Sequence, residues 1–192
     1  NYSKSREIYQ KILGIDSKYI PALLNLGVLE QQFTNYTKAL EYFNKTLSLD
    51  TKSWSAYNNI GFILNKQKKY DEAIISLNQS ITINSNYAES YYNIACSYYY
   101  LNNYINAEKF FLLSLGVNLK FLSPNFFLGE IYRNQGRFKK ALDYYIKSRQ
   151  NWTTIRVLEC LLILNLKDLY NEQIKKIVEI DSENRRVAAA TT

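Results

Sequence analysis

The sequence has no histidine, and glycine and proline are scarce, with only six glycines and two prolines in 192 residues. Because turns between strands rely on glycine and proline, this scarcity disfavours folds of many short strands and favours long helices with short connections. Without histidine the chain lacks the commonest general base, the usual partner of serine and cysteine nucleophiles, and the commonest metal ligand. Glycine-rich phosphate-binding loops are absent as well. We therefore expect no catalytic residue, no metal site and no cofactor.

Cysteine and long apolar runs are also rare. Cys96 and Cys160 lie 64 residues apart, and neither has a partner at metal-ligand spacing, so we expect two free, buried thiols. The longest strongly apolar stretch, residues 160–166, is far shorter than the roughly 20 residues that a membrane-spanning helix needs, so we expect no membrane insertion. The chain begins with Asn1 rather than methionine and has no charged and apolar leader, which suggests an excised fragment. Its ends do not indicate a compartment, although a soluble, cytoplasmic protein is favoured.

The main feature present is a repeat of 34 residues, which runs without insertion from about Ile20 to Asn151. With 47% hydrophobic and 15% aromatic residues, the chain is also apolar enough to bury a core. Five columns of matched residues recur at this period. They are Gly27, Gly61, Ala95 and Gly129; Ala39, Ala73, Ala107 and Ala141; Tyr36, Tyr70, Tyr104 and Phe138; Leu26, Ile60, Ile94 and Leu128; and Phe43, Leu77, Phe111 and Tyr145.

Each repeat is predicted to form two amphipathic helices. In the first repeat Leu23 and Leu26 lie on one helical stripe, a break follows at Thr34 and Asn35, and a second stripe begins at Tyr36. The glycine and alanine columns indicate where the two helices meet, because only small side chains allow helices to approach closely. One hairpin cannot bury its apolar face alone, so neighbouring hairpins are expected to stack.

These columns resemble the tetratricopeptide repeat family over roughly 130 residues. The resemblance implies an all-α, right-handed superhelical solenoid of antiparallel helix hairpins whose first helices line a concave groove for a protein or peptide. The lysines and arginines with which some members grip the carboxylate tail of chaperones are absent. Their places are taken by Leu24, Val28, Ser123 and Phe127.

The repeat also predicts how the chain is divided. Residues 1–19 match only a second helix, so the chain is predicted to begin inside a truncated repeat. After residue 152 the register fails, and Ile180 and Asp181 arrive five residues early relative to Leu49 and Asp50. The predicted segments are the second helix at 1–19, repeats at 20–53, 54–87, 88–121 and 122–152, a degenerate capping hairpin at 153–181, and a frayed tail at 182–192.

Two features mark the first-helix stripe that the resemblance places in the groove. Asn25, Asn59 and Asn93 recur at the repeat period, and their amides can both donate to and accept from a peptide backbone. Aromatic residues accumulate on the same stripe, and exposed aromatics often mark interaction sites. The alternative is that these residues are structural and that several of the aromatics pack between repeats. The predicted peptide-binding residues are Asn25, Asn58, Asn59, Phe62, Tyr92, Asn93, Tyr99, Tyr100, Phe126 and Arg133.

The formal net charge is +7, and much of the excess of basic residues lies between residues 130 and 156, which raises nucleic acid as a possible class of partner. We expect most of this patch to be a solvated outer face. RNA binding is disfavoured, because the repeats lack regular polar code residues at their ends. The leading hypothesis is a non-enzymatic protein-interaction scaffold. The alternatives are a non-catalytic targeting or regulatory domain of a larger enzyme, and a scaffold that assembles with copies of itself.

Overall fold

The computed structural model describes residues 2–148 and 153–176, and every regular element of helix or strand type in these ranges is a helix. The all-α class and the hairpin arrangement expected from the sequence are confirmed. Ten helices are α1 Tyr2–Ile15, α2 Ile20–Gln32, α3 Tyr36–Leu49, α4 Trp54–Lys66, α5 Tyr70–Ile83, α6 Ala88–Tyr100, α7 Tyr104–Val117, α8 Ser123–Asn134, α9 Phe138–Ser148 and α10 Thr154–Ile163. An eleventh, α11, is described over residues 167–176.

The chain forms two compact units, with the boundary between Phe121 and Leu122. Unit 1 holds α1–α7, in which α2 pairs with α3, α4 with α5 and α6 with α7, while α1 packs on α2. Unit 2 holds α8–α11, in which α8 pairs with α9 and α9 packs on α10. The segment bounds predicted above stay predictions. The end of the 122–152 repeat, the last five residues of the capping hairpin and the whole predicted tail at 182–192 lie outside the described residues.

One type of turn closes the hairpins. A residue with positive φ follows the first helix of each pair, at Thr34, Lys68, Asn102 and Gly136. In the first pair the Thr34 N–H donates to the Gln31 carbonyl and the Asn35 N–H to the Glu30 carbonyl, which satisfies the open carbonyls at the helix end. Asn165 repeats this turn after α10, five residues earlier than the 34-residue period would place it.

Small residues set the distance between paired helices. A Cβ built on Gly27 would lie 2.5 Å from Cε1 of Phe43, and one on Gly129 would lie 2.5 Å from Cε1 of Tyr145. A side chain added at either position would collide with the ring unless the ring moved, so the small column and the aromatic column of the repeat contact each other. The alanines at positions 39, 73, 107 and 141 are fully buried.

The helices are also short relative to a lipid bilayer. Across residues 2–148 and 153–176, none is long and apolar enough to cross a membrane.

Candidate partner-binding face

The first helices α2, α4 and α6 of unit 1 carry the stripe on which a partner was expected. Their buried residues contact the second helices or the next first helix, whereas the stripe remains half-buried or exposed at most positions. We call this stripe the first-helix face. Leu24, Val28 and Phe62 on it also pack against the core formed by Phe43 and Ile63, so their outer edges alone are accessible.

An aromatic cluster stands at one end of this face, where α4 and α6 finish and α5 begins. Tyr100 is 54% exposed and stacks on Tyr70, with ring centroids 5.5 Å apart. Tyr99 contacts the Tyr100 ring edge-on at 5.7 Å. Nearby, the Lys66 ammonium lies 5.2 Å from the centroid of the Phe62 ring. We call these five residues the tyrosine patch; it offers flat apolar rings, phenol hydroxyls and one cation to an approaching molecule.

Cys96 joins the two parts of the patch, because its thiol lies close enough to both Lys66 and Tyr100 to interact electrostatically with each. Burial raises the pKa of Cys96 to about 12, although a side-chain hydrogen bond with Tyr92 acts in the opposite direction. The thiol therefore stays protonated at neutral pH and is a poor nucleophile. Burial also raises the pKa of Tyr100, and the electrostatic interactions with Cys96 and Tyr70 raise it further.

Tyr92, another predicted contact, is used mainly within unit 1. Its ring lies 5.8 Å from that of Phe111 and 5.2 Å from that of Phe121. Burial raises its pKa, and the neighbouring Cys96 adds to the effect. Packing accounts for most of this side chain, and both ring partners lie in the same repeat, 88–121.

Asn58 and Asn93 take part in a buried polar network between α4 and α6. Asn58 is 6% and Asn93 is 8% exposed. The Asn58 Oδ1 accepts from the Ser90 hydroxyl at 3.1 Å and from the Asn93 Nδ2 at 3.2 Å. The Asn65 Nδ2 donates to the Asn93 carbonyl at 2.9 Å, and the Ser97 hydroxyl donates to the Asn65 Oδ1 at 2.6 Å. These amides hold one hairpin to the next.

The three asparagines of the period thus do not form a uniform exposed row. Asn25 is exposed. Asn59 is half-buried, and its Nδ2 donates to the Ser55 carbonyl of its own helix at 2.9 Å; the Oδ1 takes no part in this hydrogen bond. Equal spacing in sequence gave unequal environments because α6 packs closely on α4, whereas the face of α2 at Asn25 stays open. Peptide binding by these residues stays a prediction.

Phe126 and Arg133 belong to unit 2. Phe126 packs edge-on against Phe127, with ring centroids 5.3 Å apart. The Arg133 Nη2 lies 3.1 Å from an oxygen of Glu130, a carboxylate that is only 7% exposed. Glu130 also accepts from the Tyr145 hydroxyl at 2.6 Å and pairs with the Arg156 Nε at 3.0 Å. Arg133 therefore forms part of a charged network inside unit 2.

Two members of the tyrosine patch were not among the predicted contacts. Tyr70 belongs to the aromatic column of the repeat, and nothing in that column indicates a contact with the end of α6. Lys66 lies on the first-helix face, at the end of α4, but its contact with the Phe62 ring depends on the conformation of the lysine side chain. No group of three or more histidine, cysteine, aspartate or glutamate residues that could hold a metal ion occurs in the described part of the chain.

Family models match most of the chain. Models described as tetratricopeptide repeat match residues 54–87, residues 20–53 and 88–121, and residues 126–149. No curated protein sequence matches the chain.

Solved structures are similar to the chain in fold. PilF of Pseudomonas aeruginosa is 19% identical, with 93% of each chain covered and a TM-score of 0.79. MamA is 24% identical, with 77% of this chain and 86% of its own covered and a TM-score of 0.67. YrrB, described as a TPR protein with an unusual peptide-binding site, is 16% identical, with 97% of this chain and 98% of its own covered and a TM-score of 0.69. At these identities the similarity shows the fold alone.

Proposed function

Because the chain belongs to the tetratricopeptide repeat family, we propose that it is a protein-interaction scaffold that binds an extended segment of a partner on the first-helix face of unit 1. The observation that carries this proposal is the tyrosine patch. Tyr100 remains 54% exposed although it stacks on Tyr70, so an aromatic surface is presented to solvent beside a lysine. Large rings that are exposed in this way favour binding, because they bury much area and have few rotatable bonds.

The ligand class follows from the side chains. Tyr99 and Tyr100 suit an apolar or aromatic anchor of the partner. Asn25, together with the Oδ1 of Asn59, adds amide groups along the same face. Asn93 is left out of the proposed contacts, because its Nδ2 already donates to Asn58. The peptide-binding site in the description of YrrB supports a peptide as the kind of ligand.

The experiment is a fluorescence-polarisation screen of the chain against a diverse peptide library, repeated with Tyr100→Ala. Removing a central exposed ring is expected to weaken true ligands by roughly tenfold or more, since aromatic anchors often contribute more than about 1.4 kcal/mol. Asn25→Ala should weaken them less, by a few-fold, because one hydrogen bond contributes only about 0.5–1.5 kcal/mol.

The matched control is Tyr19→Ala, which removes a tyrosine that is 45% exposed and lies before α2, outside the patch. It should leave binding unchanged. Peptides that bind the Tyr100→Ala variant as tightly as the parent would contradict the proposed site. If no peptide binds at all, the proposal of a peptide ligand fails.

A further inference from the structure

Helix α7 differs from the other second helices because its outward side is largely apolar, with Lys109 as the exposed charged residue on it. Its inner side is buried against α6, through Ala107, Phe111 and Ser114. On the opposite side Ile105 is 84%, Leu112 41% and Leu113 43% exposed. These residues fall at helical spacing with Gly116 and form one stripe, which we call the outer α7 stripe. An all-round apolar helix is normally buried on every side, so a helix that is apolar outside as well needs a further explanation.

The repeat itself provides the comparison. The same outward positions are exposed in α3, α5 and α9, and all but Ile75 and Ile146 carry polar residues there. In place of Ile105 the other repeats have Thr37, Asp71 and Lys139; in place of Leu112 they have Asn44, Asn78 and Ile146; in place of Leu113 they have Lys45, Gln79 and Lys147. The fold therefore does not require apolar residues at these sites.

Gly116 lies on the same stripe as these apolar residues. A Cβ built on it meets no atom within 4 Å, and its backbone does not have positive φ, so neither packing nor conformation calls for glycine. Glycine inside a helix destabilises it by about 0.5–1 kcal/mol relative to alanine. The corresponding positions hold Gly14 in α1, Ser48 in α3 and Thr82 in α5, so small residues occupy this place in each of these helices. A small residue on an exposed apolar stripe lets a second helix approach closely, as the glycines at helix contacts inside this chain do.

We propose that the outer α7 stripe binds one amphipathic helix of a partner protein, with acidic residues beside its apolar side. Charge favours an acidic partner, because the exposed charge within the stripe is Lys109 and Lys120 follows the helix. Glu108 lies on the flank and is half-buried.

The probe is a fluorescein-labelled amphipathic peptide of roughly 18 residues, or five helical turns, with a leucine stripe flanked by glutamates. A second peptide has every glutamate replaced by lysine. Binding of both to the whole chain is measured by polarisation, for the parent and for Leu112→Lys and Gly116→Gln. The matched controls are Asn78→Lys and Thr82→Gln, which make the same changes at the equivalent positions of α5.

We expect the acidic peptide to bind, the basic peptide to bind at least about tenfold more weakly, and both α7 variants to lose binding by about tenfold while the controls retain it. Circular dichroism should show that all variants stay folded, because the changed positions are exposed. Tyr100→Ala should leave this binding unchanged, which separates it from the site on the first-helix face. Equal binding of the two peptides, binding that survives both α7 variants, no binding, or a dimer broken by Leu112→Lys would each overturn the proposal.

Discussion

Both units join successive first helices through buried polar side chains, but the chemistry differs. In unit 1 the network between α4 and α6 is neutral and consists of asparagine and serine, with the Asn58 Oδ1 accepting from two donors. In unit 2 the network between α8 and α10 is ionic, with Glu130 contacting both Arg133 and Arg156. Asn65 and Arg133 occupy the same position of the 34-residue repeat, so one fold accommodates both solutions.

The difference shows what a buried polar contact requires. A neutral amide needs only its hydrogen bonds to be made, whereas a buried carboxylate must also be compensated in charge. Glu130 meets this requirement with two guanidinium groups and the Tyr145 hydroxyl. Burial, together with the hydrogen bond to Glu130, raises the pKa of Tyr145, so the phenol stays protonated and donates. The network around Glu130 should therefore be more sensitive to the loss of a single side chain than the neutral network between α4 and α6.

The largest effect is expected for Glu130→Ala. The change leaves the buried Tyr145 hydroxyl without its acceptor and two arginines without their shared partner. Because both arginines are about one-third exposed, water relieves part of the loss, and we expect unit 2 to be destabilised by about 3 kcal/mol. Urea unfolding followed by circular dichroism, with Cys160 labelling as the reporter of unit 2, measures the change.

Glu130→Gln is the matched control, because it keeps an acceptor for Tyr145 but removes the charge. It should fall between the parent and Glu130→Ala in stability. If the two variants are equally stable, the ionic character of the network contributes nothing and the comparison between the units fails.

A smaller effect is expected for Asn58→Ala in the neutral network. The Ser90 hydroxyl and the Asn93 amide would each lose an acceptor, although Ser90 keeps its contact with the Ser80 hydroxyl at 2.9 Å. Unit 1 should lose about 2 kcal/mol, because buried groups without partners are costly. The loss should be the same in low and high salt, as measured by urea unfolding at both. A salt-dependent loss would contradict the neutral assignment.

The smallest effect is a difference in salt response between the two cysteines. Both thiols are buried. Burial raises the pKa of Cys96 to about 12, and burial also raises the pKa of Cys160. Below those pKa values little thiolate is present, so labelling at pH 8 reports local opening. Raising sodium chloride to about 1 M should weaken the ionic network by under about 1 kcal/mol and speed the labelling of Cys160 but not of Cys96. Mass spectrometry of each modified cysteine against time measures both rates; equal salt responses would count against the comparison.

The hairpin pattern was readable from the sequence because it depends on local periodicity. Gly27 and Phe43 recur in columns that the structure brings into contact, and the breaks at Thr34 and its equivalents became left-handed turns. The environments of the asparagines were not readable. Asn25 and Asn93 have the same place in the repeat, yet one is exposed and the other is hydrogen bonded to Asn58, because this depends on how closely neighbouring hairpins pack.

The sequence by itself determined the all-helical class, the repeat length and the small residues at the helix contacts, since each follows from the spacing of residues along one helix. Only the tertiary structure decided which polar side chains are engaged and which aromatic rings remain exposed. Tyr70 and Tyr100 are 30 residues apart in the chain but stack at 5.5 Å, and Glu130 gathers partners from α8, α9 and α10. Such contacts depend on side-chain directions across several helices, which no period along the sequence specifies.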